Sequence, residues 1–195
     1  MSEKPILVVD TVVEWEQFLE SQLDGDGHGV RLRLRKMAST KPGITYAEAL
    51  DSALCFGWID GQKGAFDDDF HLQVFTPRRA RSMWSQRNRE HVERLVTDGR
   101  MRDAGQREID RAKADGRWDA AYRQRGADVP ADLQQALDAR PAAAAFFATL
   151  SSQNRFAVLF RIGNVKRADT RARKIAEFVD MLERGDTVHP QRPRA

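Results

Sequence analysis

The chain has a single cysteine, Cys55, among its 195 residues. That excludes an intramolecular disulfide and any zinc site built from cysteines. Long hydrophobic runs are also missing. The densest, Ala142–Leu150, falls well short of the ~20 apolar residues a membrane helix needs, so no membrane insertion is expected. The N-terminus, MSEKPILVVD, sets acids beside its one lysine and has no extended apolar region. No signal peptide is read there, and the cytoplasm is the expected compartment. The four histidines, His28, His71, His91 and His189, lack the spacing of a metal site or a relay. There is no phosphate-cradling glycine loop, no Gly-x-Ser-x-Gly elbow and no dinucleotide fingerprint. Neither a cofactor nor a metal is implied, and no catalytic residue is assigned.

Apolar residues make up 41% of the chain, enough for a core, and charged residues 31%. The net charge is only +3, but it is unevenly spread. Residues 1–75 hold 7 Lys/Arg against 13 Asp/Glu, and residues 76–125 hold 14 against 8. Such a basic segment is either a partner-binding surface or a solvated helical exterior.

Local patterns place the elements. Thr11 with Glu14, and Thr45 with Glu48, are capping boxes, each opening an amphipathic helix. The first helix carries Val12, Trp15, Leu19 and Leu23 at helical spacing, with Phe18 beside them. Val30, Leu32 and Leu34 alternate with Arg31, Arg33 and Arg35, the period of a strand with one buried face and one wet one. Residues 58–63 and 70–76 read as an antiparallel hairpin around the acidic turn Phe66–Asp69, and Pro77 stops its second strand. From Ser82 onward the pattern is helical. Ser85 caps one helix, and Asp103–Asp115 is a polar one pinned by Trp118 and Tyr122. Asp128 caps another, and Asp169 or Thr170 opens the last. The fold class is therefore α+β: a small antiparallel sheet of about three strands with packing helices, then a helical C-terminal half. The expected divisions are an α+β domain over 1–125, a helical module over 126–185 and a disordered tail over 186–195, with the boundary in 123–129.

Three places invite a functional reading. In CFGWIDGQK, an uninterrupted strand would put Trp58, Asp60 and Gln62 on one face. Arg78, Arg79 and Trp84 follow just past the partner strand. Together these six form a candidate pocket for a polar ligand with a flat surface. The alternative is that Asp60-Gly61 makes a turn or bulge while Trp58 joins the core. The second place is TPRRARSMWSQRNR, with Arg78, Arg79, Arg81, Arg87 and Arg89 around Trp84. It has the ingredients for holding phosphates and stacking on bases. However, Glu90 and Glu93 lie at helical distance from Arg87 and Arg89, and no nucleic-acid-binding signature accompanies them. Third, Arg167, Arg171, Arg173 and Lys174 cluster on the last helix, either as an anion site at its start or as a solvated face. Cys55, between Leu54 and Phe56, reads as an inert core thiol.

The stretches TYAEALDSALCFGWIDGQ, FTPRRARSMWSQRNREHVERLVTDGRM, VPADLQQALDARPAAAAFF and KRADTRARKIAEFVDML resemble the YdeI/OmpD-associated family, also labelled bacteriocin-protection. Together they span roughly residues 12–185. The resemblance implies a bacterial, cytoplasmic α+β protein of stress adaptation and of resistance to antimicrobial peptides or bacteriocins. It carries over no catalytic residue. The function expected from it is non-enzymatic: binding of a small ligand or a peptide partner, with the acidic turn Asp67–Asp69 as one attraction for a cationic peptide. Two alternatives remain: a small-molecule binder or enzyme using the Trp58/Asp60/Gln62 face with Arg78, and nucleic-acid binding through 76–125.

Overall fold

The computed structural model describes residues 4–23, 27–122 and 127–191, and they divide into two compact units, Met1–Ala121 and Tyr122–Ala195. Both capping boxes form. Glu14 N donates to Thr11 Oγ1 (3.2 Å) and Glu48 N to Thr45 Oγ1 (3.4 Å), while each glutamate accepts the cap's own amide. They open α1 (Val12–Ser21) and α2 (Tyr46–Cys55). α1 ends at Ser21, so Leu23 lies beyond the helix and is exposed. Part of the glycine turn expected after it, Gly25 included, lies outside the described residues.

Helices α1 and α2 belong to an α+β unit whose sheet has the order β1-β2-β4-β3, with β1 (Ile6–Leu7), β2 (Val30–Arg35), β3 (Trp58–Ala65) and β4 (Phe70–Pro77). β2–β4 and β4–β3 are antiparallel as expected. β1 is an addition, a two-residue strand parallel to β2 that makes the sheet mixed; two residues are too few to show a period. β2 alternates buried and half-buried positions. Its arginines are not simply solvated. Arg33 lies over the Phe70 ring (4.2 Å) and pairs with Asp10 (2.6 Å), and Arg35 donates to the Gly43 and Ser39 carbonyls. Phe70 and Leu72 share that face of the sheet, so the arginine stems have an apolar surface to lie along.

The other face is the core. Trp15 is fully buried against Phe18, Trp58 and Phe75, and its indole N–H donates to the Ala49 carbonyl (3.0 Å). Two further helices complete the unit, α3 (Gln86–Thr97), capped by Ser85 as expected, and α4 (Asp103–Ala114). α4 buries only Gly105, Ile109 and Ala112, and Trp118 secures its end, donating its amide to Ala112. Tyr122, expected to help pin that helix, belongs to the second unit, where it packs on Phe156 and Phe160.

The second unit has its own core. α5 (Ala131–Asp138), α6 (Pro141–Thr149), α7 (Ser152–Gly163) and α8 (Ala168–Glu183) enclose Leu133, Leu137, Phe147, Val158, Ile162 and Leu182, among others. Asp128 does not cap α5, because Pro130 occupies the cap position and supplies no side-chain bond. α8 begins at Ala168 without a side-chain cap, and Asp169 falls in its first turn. Residues 187–191 belong to the segment expected to be disordered, yet Asn154 holds them. Its carboxamide donates to the His189 carbonyl (3.0 Å) and to Gln191 (2.9 Å) and accepts the His189 amide (2.8 Å). Residues 192–195, and 123–126 of the expected boundary, lie outside the described residues. No helix among those described is long and apolar enough to cross a membrane.

Gly105 marks the tightest approach in the first unit. A Cβ there would sit 2.4 Å from the Cys55 carbonyl oxygen and 2.6 Å from that of Leu54. Alanine normally favours a helix over glycine by about 1 kcal/mol, but here the obstruction is backbone and cannot rotate away. Gly105→Ala should therefore destabilise the protein by about 1–3 kcal/mol in urea unfolding. A stabilised variant would refute the close contact.

Candidate functional site

The structure brings some of the six residues singled out in the sequence together and separates others. Trp58 is core: its ring meets Trp15 edge-on at 6.2 Å and Phe18 at 6.1 Å. Asp60 is half-buried and accepts the Tyr46 hydroxyl (2.9 Å). Gln62 is exposed and lies in a β-bulge. Asp60 pairs with Phe75 and Lys63 with Gln73, which leaves Gly61 and Gln62 together opposite Val74. The extra residue resets the alternation. Lys63, rather than Gln62, shares Asp60's face.

Arg78 and Trp84 do come together. The Arg78 guanidinium stacks 3.6 Å over the Trp84 ring and donates to the Met83 carbonyl, with both side chains buried. Trp84 meets Trp118 at 5.0 Å, and Arg89 and Lys113 lie over the Trp118 ring. Arg79 is exposed at the neighbouring turn, where its amide bonds Ser82. Four arginines of the basic segment form ion pairs within the unit. Arg94 reaches Asp51, Arg100 reaches Glu16 and Asp51, Arg111 pairs with Glu108, and Arg117 pairs with Asp115. On the last helix, Arg171 is likewise bound to Asp132 (2.6 Å) and to the Ile162 carbonyl.

Two polar groupings escaped sequence reasoning. Asp51 lies on the buried side of α2, where His91 Nδ1 (2.7 Å) and Arg94 (2.6 Å) from α3 both reach it. Next to it, Ser52 donates to Glu16 of α1 (2.7 Å). Burial works to raise the Asp51 carboxyl, but the hydrogen bonds from Arg94 and His91 prevail and hold it below the ordinary range. Cys55, one turn on, has no such donors; burial pushes its thiol up to about 11, which keeps it protonated and unreactive. The signal available in the sequence was an aspartate amid Ala49, Leu50, Ala53 and Leu54. Its partners are some 40 residues away, beyond any local pattern.

The second grouping grows from the bulge. Cross-strand partners share a face, so Asp60 and Lys63 of β3 and Gln73 and His71 of β4 project from the same side of the sheet as core residues Leu32, Leu34 and Phe75. Gln73 uses its amide to satisfy the Gly61 carbonyl that the bulge frees (2.7 Å). His71 is 7% exposed, and its Nδ1 is buried with no partner. Burial, with Lys63 and Lys36 nearby, lowers its basicity and keeps the ring neutral.

In the second unit, a groove of about 460 Å³ runs between α5 and α8. Ala136, Ala172, Ile175 and Ala176 are among the residues lining it, and the Asp132–Arg171 and Arg140–Asp180 pairs stand at its borders.

A family model described as Domain of unknown function (DUF8412) matches residues 7–108, just over half the chain. The chain belongs to this family. A second model, Bacteriocin-protection, YdeI or OmpD-Associated, matches residues 126–185. The family suspected from the sequence is thus matched in the helical module, which holds the α5/α8 groove. The N-terminal stretches quoted for the same resemblance fall wholly in the DUF8412 match, which includes Asp51, His91, Asp60, Lys63 and His71. No curated protein and no solved structure matches the chain.

The DUF8412 segment carries a testable electrostatic tie. Asp51 has a folded pKa below its unfolded value of ~3.9. Its contribution is therefore complete above that value and disappears as pH falls through the lowered folded value. Asp51→Asn should cost about 1–3 kcal/mol near neutrality. The gap from wild type, followed by urea unfolding, should narrow as pH falls below about 4, through the lowered folded value. A gap that persists undiminished in acid would contradict this.

Proposed function

We propose that this protein protects a bacterium against bacteriocins or related cationic antimicrobial peptides, and that it does so in the cytoplasm by binding a ligand or partner, without catalysis. The observation that carries the reading is the match of residues 126–185 to the bacteriocin-protection model. The matched stretch lies within a unit that has its own hydrophobic core. It therefore has the makings of a structural module in its own right.

The acidic turn contributes less to this reading than its composition suggests. Asp67 is occupied by the amides of Asp69 and Phe70, and Asp69 by Ser39 and Lys41. Asp67 and Asp69 are thus already engaged within the protein, which leaves less of the turn's charge for a cationic peptide.

Deleting the gene in its own bacterium should lower the inhibitory concentration of bacteriocins or cationic peptides several-fold. Expression of the full chain should restore it. Unchanged sensitivity across a panel of such peptides would remove the proposal's support.

A further inference from the structure

We propose that the polar patch created by the β3 bulge, with Lys63 and His71 at its centre, is a binding site for the oxyanion of a small solute, a carboxylate or a phosphate. Four observations lead there. First, the bulge at Gly61–Gln62 resets the strand so that Lys63 falls on the core-facing side of the sheet, beside Gln73 and diagonal to His71. Bulges commonly re-aim a side chain next to a functional site. Second, the ring of His71 is more than nine-tenths buried while its Nδ1 has no partner. A buried polar nitrogen left unpaired is destabilising, and a ligand that bonds it relieves that penalty. Third, Lys63 is exposed and forms no ion pair among the described residues. Fourth, the groups facing His71 favour an anion. Lys63 on β3 and Lys36 after β2 both act on it as positive charges. The nearest turn acids are engaged, Asp69 with Lys41 and Ser39, and Asp67 with backbone amides. Asp60, on the same face, gives one oxygen to Tyr46.

An oxyanion here would be met by the Lys63 ammonium and by His71. Its charge would favour the imidazolium, so the ring would take up a proton on binding. All the residues involved belong to the first unit, so the proposal stands or falls independently of the bacteriocin-protection reading.

The test is an NMR titration of the His71 imidazole in the full chain, assigned with His71→Gln. It is run in inorganic phosphate, in acetate, and in chloride at matched ionic strength. Phosphate or acetate should raise the His71 midpoint by about one pH unit, the scale set by one opposite charge within hydrogen-bonding range. Chloride should not. The more effective of the two anions identifies the source. In Lys63→Gln, with unchanged backbone spectra, the shift should be lost. An unmoved midpoint in both anions, an equal shift in chloride, or a shift that survives Lys63→Gln would each overturn the proposal.

Discussion

Trp15 organises the first unit. A buried indole usually finds an acceptor for its N–H, and this one meets the helix packed beside it, at the Ala49 carbonyl. That hydrogen bond fixes α1 against α2. The ring stacks on Phe18, meets Trp58 in a T-shaped contact and packs tilted against Phe75, so helix and sheet share one aromatic centre. Trp58 is drawn inward as a result. A tryptophan expected in a pocket is committed to packing, and the polar chemistry of β3 begins two residues later, at Asp60.

Two of this unit's polar groupings lie at the margins of the aromatic centre. On the helical side, Asp51 gathers His91 and Arg94 and so joins α2 to α3. On the strand side, the bulge exchanges Gln62 for Lys63 and places it near a histidine without a partner. The two differ in kind. The first is a closed network whose donors and acceptors satisfy one another. The second leaves a buried nitrogen and an exposed ammonium unanswered, which is the condition under which a ligand contributes most.

What could be read in advance followed the range of the forces involved. Thr11/Glu14 and Thr45/Glu48 are contacts three residues apart, and the β2 alternation is a property of one strand, so both were legible. The α+β class followed from them. The bulge was visible only as an alternative, because whether Asp60-Gly61 continues a strand or breaks its alternation depends on the register with β4. Asp51 with His91, and Asn154 with the chain at 189–191, join residues far apart in sequence. β1 exists only because β2 offers it an edge. The Arg78–Trp84 stack was anticipated as proximity, but its partner Trp118 was not placed with it.

Cys55 has a practical corollary. It is the chain's one thiol, it is buried, and burial holds it near 11. At neutral pH it is almost wholly in the form that alkylating and maleimide reagents ignore. A cysteine introduced at an exposed position, such as Met37 or Gln62, can therefore carry a fluorophore or spin label selectively, with the native thiol left in place.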